Sequence, residues 1–204
     1  VLRSVYSQAT LAVHLAKNFT LMSNLGTEHN LASLKEPLQE VLMCPLLINL
    51  SDDFQPLAWE DDIQIGVDTT PFETTPAVLV MRPLISQVFS NILENAVKYS
   101  RKHTRITISG VYIKESDSVA VSVRNYGITL TDNDIAHIFD RGYRSDQAKR
   151  KYPAGTGFGL YIARRIVELH EGQISASLGA DGSSVFTVAL SVKALKGKAR
   201  LRDK

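Results

Sequence analysis

The sequence has a single cysteine, Cys44. It can therefore form no internal disulfide and no multi-cysteine metal site, which fits a reducing compartment. No apolar run approaches the roughly 18 residues that span a bilayer, and the N-terminus has no signal-peptide pattern. The expectation is a soluble, cytoplasmic piece. An excess of one charge is also missing: 23 Lys and Arg stand against 21 Asp and Glu, a formal net charge of +2. Nothing in that balance calls for nucleic acid or an anionic membrane as partner. No internal repeat is found. The chain starts with Val1 rather than Met, which suggests a piece of a longer protein whose remainder would hold any membrane anchor. At 204 residues it can build one full domain with a proper core and a smaller addition.

What is present centres on residues 86–100. Ile85, Val88, Phe89, Ile92 and Ala96 recur at the spacing that keeps one helical stripe against a core. A second stripe, Gln87, Asn91, Glu94, Asn95 and Lys98, follows the same period on another side. Asparagine is a poor helix former because its amide competes for backbone hydrogen bonds. Two of them one turn apart, beside a Glu and a Lys, point either to a solvated face or to a site for which local stability was given up.

Before that helix, Val5, Ala12 and Phe19, and likewise Gln8, Leu15 and Met22, repeat every seven residues. That spacing suits either a helix–helix seam or a helix lying on its own domain. Residues 26–36 are polar and precede Pro37, which predicts a turn or linker and a domain boundary. The pattern from Leu38 to Ala58 is helical, with breaks or kinks expected at Pro45 and Pro56. Short strands are predicted over 62–68 and 77–81, and Pro83 falls where a helix tolerates proline, in its first turn. Residues 104–113 and 118–124 alternate like a β-hairpin. Val119, Val121 and Val123 share a parity that carries Asn125 inward, where its amide needs a partner. A short capped helix is predicted over 131–139 and a long irregular stretch over 140–155, carrying Arg141, Arg144, Lys149, Arg150 and Lys151. An amphipathic helix over 158–171 and strands over 173–178 and 184–192 complete the domain, before a basic tail from Lys193.

Gly155-Thr-Gly-Phe-Gly159 leads directly into that last helix. Glycines let backbone amides approach a ligand, and a helix start favours phosphate, so this loop is either an anion cradle or a solvated glycine-rich turn. It is not a P-loop, for it lacks Gly-Lys-Ser/Thr, and its G-x-G-x-G is not the dinucleotide fingerprint.

In order along the chain, Asn91-x-x-Glu94-Asn95-Ala96-x-Lys98-Tyr99 resembles the asparagine box of sensor histidine kinases, within the superfamily that includes gyrase and the heat-shock-90 chaperones. Val123-Arg-Asn-Tyr-Gly127 is similar to their first glycine box, Ile138-Phe-Asp-Arg-Gly-Tyr-Arg144 to the phenylalanine box, and Gly155-Thr-Gly-Phe-Gly-Leu160 to the second glycine box. The stretch from Tyr161 to Gly172 resembles the kinases rather than the other branches. The resemblance implies an α/β (α+β) two-layer sandwich, a mixed sheet with helices on one face in a Bergerat-type ATP-binding fold, preceded by a helical dimerisation remnant. The implied division is a dimerisation helix and linker over 1–35, a catalytic domain over 36–192 and a tail over 193–204.

The implied activity is transfer of the ATP γ-phosphoryl group to a His and its relay to an Asp of a response-regulator receiver domain. ATP and Mg²⁺ would be the cofactors, and the intact protein a homodimer through its N-terminal helices. Asn95 and Asn91 would ligate Mg²⁺ and Glu94 would be the base or polarising group. Asn91, Lys98, Tyr99, Arg141 and Arg144, with Gly155, Thr156, Gly157, Phe158, Gly159 and Leu160, would hold the nucleotide. Asn125, Gly127 and Thr187 complete the implied binding set.

Three positions depart from the family's pattern. Asn125 stands where an Asp usually accepts the adenine amino group; the neutral bond is worth roughly 0.5–1.5 kcal/mol against about 1.5–3 for a charged one. An amide can also donate to guanine O6, which predicts relaxed base choice. Thr129 replaces a second glycine and Gly142 a second phenylalanine. Among His14, His29, His103, His137 and His170, none has the acidic neighbour and following Pro of the family's phosphoacceptor, so the acceptor is expected outside this chain. The competing readings are a non-catalytic nucleotide-sensing or protein-interaction module on the same fold, and an anti-sigma-type serine kinase.

Overall fold

The computed structural model describes residues 36–192 and, of the N-terminal segment, residues 9, 12–13 and 16–21. The polar linker at 26–35 and the basic tail from Lys193 lie outside the described residues. So do Val5, Gln8, Leu15 and Met22 of the heptad pattern.

The sheet grows from the hairpin that alternation predicts. β4 (Arg105–Ile113) and β5 (Ser118–Asn125) pair antiparallel, with Ile108 opposite Val123. β7 (Ser184–Ser191) adds to β5 with Asn125 opposite Ser184, and β6 (Gln173–Leu178) adds to β7, both antiparallel. β2 (Gln64–Val67) joins β4 in parallel, giving the order β2-β4-β5-β7-β6 and a mixed sheet. Ile106, Ile108, Val119, Val121, Val123, Phe186, Val188 and Leu190 are buried on one face. The opposite face carries polar groups such as Ser122 and Thr187, whose hydroxyls lie 2.9 Å apart.

Three helices cover the apolar face: α1 (Met43–Ala58), α2 (Arg82–Tyr99) and α5 (Gly159–Leu169). Ile85, Val88, Phe89 and Ile92 of α2 are completely buried, and each contributes about 1.5–3 kcal/mol through removal from water. Pro83 sits in the first turn of α2, where its missing N–H costs nothing. Among the described residues no helix is long and apolar enough to cross a membrane.

Two local expectations need correction. The helical pattern from Leu38 conceals a strand, β1 (Gln39–Val41), paired antiparallel with β3 (Val78–Val80) in a separate two-stranded sheet. A partner about 40 residues away leaves no mark on local periodicity. The stretch 140–155 is not wholly irregular, because it contains α4 (Asp146–Lys151). Ser145 caps that helix by accepting from the Ala148 N–H at 3.2 Å, and Lys149, Arg150 and Lys151 occupy its last turn, complementing the helix dipole. With no apolar stripe it had no periodic signature. Upstream, α3 (Asp132–His137) begins with the expected cap, a reciprocal box between Thr131 and Asp134.

Residues 16–21 are helical, as the N-terminal pattern predicts. Leu21 is buried in the core, whereas Ala12 and Phe19, the heptad positions that are described, are exposed.

Candidate functional site

The polar stripe of α2 does not face water. A cavity of about 340 Å³ lies over it, closed on other sides by the loop after β5, by α4 and its flanks, and by the glycine loop before α5. Asn91, Glu94, Asn95, Lys98 and Tyr99 line it, together with Asn125, Arg144, Gly155, Thr156, Gly157, Gly159 and Leu160. Four motifs far apart in sequence therefore converge on one space. Gln87, the first member of the polar stripe, lies outside the lining and is buried.

At one end sits Asn125, 3% exposed. Its Nδ2 donates to Ser100 Oγ at 3.2 Å, while Oδ1 is buried without a protein partner. At the other end Asn91, 1% exposed, accepts through Oδ1 from Asn18 Nδ2 at 2.8 Å, and its Nδ2 is buried without a partner. Gln87 Nε2 donates to Asn18 Oδ1 at 2.9 Å, so an amide chain ties the N-terminal helical segment to α2. In this arrangement the Asn91 oxygen, the atom that metal ligation needs, is engaged by Asn18, and the amide nitrogen is the end left unpaired. Glu94 and Lys98 form an ion pair one helical turn apart, and Lys98 also lies 5.8 Å from the centre of the Tyr152 ring.

The lid holds itself together. The Arg144 guanidinium donates to the carbonyls of Ala148, Tyr152, Pro153 and Gly155. Its charge thus organises the loop backbone instead of standing free for phosphate, although its Nε is buried without a partner. Lys151 Nζ donates to Ser100 O at 2.7 Å, tying the end of α4 to the end of α2. Burial holds the Lys151 pKa below its ordinary value. Tyr143 donates to Asp134 Oδ1 at 2.9 Å. Burial opposes ionisation of Asp134, but the backbone N–H and hydroxyl of Thr131 and the Tyr143 hydroxyl outweigh it and hold the carboxyl below its usual range. The Tyr143 hydroxyl is pushed up, by burial and then by that same bond to Asp134.

Gly142, a departure from the family's pattern, has a backbone reason. Its φ is +76° and that of Gly157 is +72°. The two strands of loop cross here, with Gly142 N donating to Gly157 O at 3.1 Å. A Cβ on Gly157 would lie 2.7 Å from the carbonyl group of Gly142.

Four predicted residues do not line the cavity. Gly127 packs behind it, bridged to Ser100; a Cβ there would meet Tyr99 O at 1.9 Å. Its role is the close approach of two backbones. Arg141 is exposed and projects over the Phe158 ring at 5.9 Å, and neither residue is part of the lining. Thr187 is on the opposite face of β7: Ser184 and Phe186 line the cavity, and the period of two turns Thr187 away to meet Ser122. Sequence reasoning also passed over Asn18, Ser100, Asp134, Tyr143 and Tyr152. Ser100 directly follows the asparagine box and Tyr143 lies inside the phenylalanine box, so these two were within reach of the motifs.

Residues 81–194 match the family model described as histidine kinase-, DNA gyrase B- and HSP90-like ATPase. The chain belongs to this family. Its relatives include a sensor protein kinase WalK of Staphylococcus haemolyticus, 35% identical over 127 residues, which are 58% of this chain and 20% of the relative. The WalK of Staphylococcus epidermidis is 38% identical over 106 residues, 50% of this chain and 17% of the relative. The chain thus spans about a fifth of the length of these curated relatives.

Among solved structures, full-length ShkA in complex with AMPPNP superposes with a TM-score of 0.72 at 21% identity, covering 90% of this chain and 36% of that one. The catalytic domain of the histidine kinase ThkA gives 0.62 at 22%, covering 76% of this chain and 97% of that one. At these identities the likeness bears on the fold, and it is the mixed-sheet α/β fold expected from the sequence. The family is one of ATPases, which supports ATP as the ligand of the cavity.

Proposed function

We propose that this chain is the ATP-binding catalytic part of a sensor histidine kinase, transferring the γ-phosphoryl group to a His for relay to a response-regulator Asp. The observation that carries the reading is that three lining residues, Asn125, Asn91 and Arg144, each hold a buried polar atom without a protein partner, the Arg144 atom being a further donor. Asn125 Oδ1 needs a donor and suits an adenine amino group; Asn91 Nδ2 needs an acceptor and suits a phosphate oxygen. Buried polar groups are normally paired, so an unpartnered acceptor at Asn125 and unpartnered donors at Asn91 and Arg144 around one cavity argue for a ligand carrying their complements.

Among the described residues no cluster of His, Cys, Asp or Glu could hold a metal. A bound Mg²⁺ would therefore rest on the Asn95 amide oxygen, on that of Asn91 once released from Asn18, and on the nucleotide's own oxygens, a donor set that suits a hard cation. When bound it would neutralise charge on the phosphates. Lys98 adds positive charge at the same end, and Glu94, freed from Lys98, orients or accepts the proton of the attacking imidazole. The N–H groups of 155–159 and the start of α5 supply further donors. Rate enhancement on this reading comes from positioning and charge neutralisation. The parts of the chain would be a dimerisation helix and linker over 1–35, the catalytic domain over 36–192 and a tail over 193–204. The intact protein would be a homodimer facing the cytoplasm and partnered by a receiver domain.

Calorimetry of ATP with and without Mg²⁺, on the wild type and Asn95→Ala, tests the site. Mg²⁺ should strengthen ATP binding to the wild type and do so less for the variant; equal affinity in all four titrations refutes the metal assignment. A second reading, a nucleotide-sensing module without turnover, is favoured by Asn18 on Asn91 and by Arg144 committed to its own loop. Adding ATP and a separate domain bearing an acceptor His decides between them: acid-labile phosphate on that domain means kinase, and its absence despite measured ATP binding means module.

A further inference from the structure

We infer that Ser100, which does not line the cavity, sets the base choice of the site by fixing which end of the Asn125 amide faces the nucleotide. The inference rests on the nucleotide reading and sharpens it at one residue. An asparagine amide is ambiguous as a reader, since Oδ1 accepts and Nδ2 donates. Turned one way it matches the adenine amino group; turned the other it matches the 6-oxygen of guanine or hypoxanthine. Which way it turns is decided by its neighbour behind the cavity.

That neighbour has one hydroxyl proton, and the proton is committed. Ser100 Oγ lies 2.6 Å from Ala96 O and donates to it. Toward Asn125, at the longer 3.2 Å, the same oxygen can only accept. Nδ2 therefore turns to Ser100 and Oδ1 is left with no protein partner. Ser100 is itself held in place, being 4% exposed, with its carbonyl accepting from Lys151 and its backbone bridged to Gly127. A 6-oxo purine would meet a fixed acceptor with another acceptor. The substitution of amide for carboxylate thus keeps the preference for a 6-amino purine, and the relaxed base choice expected from Asn125 alone does not follow.

The test measures ATP and inosine triphosphate, which differ at the purine 6-substituent and N1 proton, by calorimetry on the described chain. The wild type should favour ATP by about tenfold or more, the order expected when one ligand satisfies a buried acceptor and the other opposes it. Ser100→Ala frees the amide to turn, so the ratio should fall about fivefold or more, mainly through a gain for inosine triphosphate. Loss of the bond to Ala96 O is a minor matter, because such i to i−4 back-bonding slightly destabilises a helix. Ser100→Cys, close in size and a weak acceptor, should act like the alanine, and Ser100→Thr should restore the wild-type ratio. With Asn125→Asp both oxygens accept, so adding Ser100→Ala there should leave the ratio unmoved.

An unchanged ratio in Ser100→Ala overturns the inference, even if affinity for both nucleotides drops. So does an equal shift in the Asn125→Asp background. Binding of neither nucleotide by the wild type is a separate result that removes the nucleotide reading itself and this inference with it.

Discussion

Replacing Gly157 with Ala tests how the glycine loop closes the cavity, and Gly142→Ala is its internal control. Both residues have φ near +70°, at +72° and +76°. A left-handed backbone costs a residue with a Cβ about 1–2 kcal/mol, so each substitution carries that penalty. They differ in what the new methyl meets. At Gly142 the nearest heavy atom is on the Phe158 ring at 3.9 Å, an ordinary contact. At Gly157 the backbone of Gly142 lies at 2.7 Å, and backbone cannot rotate aside as a side chain can; overpacking of this kind adds about 1–3 kcal/mol. The loop relieves the strain by leaving its closed position, so the cost appears in ligand binding rather than in global unfolding. At 1.4 kcal/mol per factor of ten, Gly142→Ala should weaken ATP about 5- to 30-fold and Gly157→Ala at least about 30-fold. Calorimetry with MgATP gives the affinities, and thermal melting without nucleotide should show both variants close to wild type. Equal losses in the two variants, or a larger loss for Gly142→Ala, would refute the crossing-loop argument.

Asn18→Ala should raise MgATP affinity about 2- to 12-fold, the range of one competing neutral hydrogen bond, because Asn91 Oδ1 no longer accepts from the N-terminal segment; unchanged affinity in the same calorimetry counts against competition at that oxygen. His170 is 2% exposed, donates Nδ1–H to Ile166 O at 2.7 Å and accepts the Met81 N–H on Nε2 at 3.1 Å. Burial lowers its pKa from 6.5, with the bond to Ile166 O opposing more weakly, so its contribution to stability is complete above the unfolded value and is lost as pH falls through the lowered folded one. Urea unfolding of the wild type should therefore weaken more steeply below pH 6.5 than that of His170→Gln, which keeps an acceptor and cannot titrate; parallel curves would exclude a buried neutral imidazole.

The helices and hairpin strands were legible because their causes are local. Ile85, Val88, Phe89 and Ile92 mark a core face by spacing alone, and alternation through Val119, Val121 and Val123 places Asn125 on the buried side, where the structure has it. β1 was not legible, because residues 39–41 become a strand only by pairing with 78–80. The polar α4 was missed for the opposite reason, since its evidence is a cap at Ser145 and a charge gradient rather than a stripe. At the site, the motifs named most of the lining but not the division of labour within it. Arg144 carries the charge expected of a phosphate ligand, yet the carbonyls around it claim that charge. Thr187 lies on the face of its strand away from the cavity, a parity that the alternation of residues 184–192 carries in the sequence.

If the cavity holds a nucleotide as proposed, with its base at Asn125 and its phosphates at Asn91, the two ends differ in readiness, and that difference would order events. At the base end Ser100 and Asn125 are already arranged, and the one vacancy, Oδ1, needs nothing to move before a donor arrives. At the phosphate end the groups that chemistry would use are mostly engaged with one another: Asn91 Oδ1 with Asn18, Glu94 with Lys98, Arg144 with the lid. On the proposed reading, a nucleotide would be chosen by its base while those contacts persist, and its triphosphate would then displace them. Binding energy gained at Asn125 and along the cavity walls would offset that rearrangement, so on this reading a ligand lacking the correct base would lose the means of opening the phosphate end as well as one hydrogen bond.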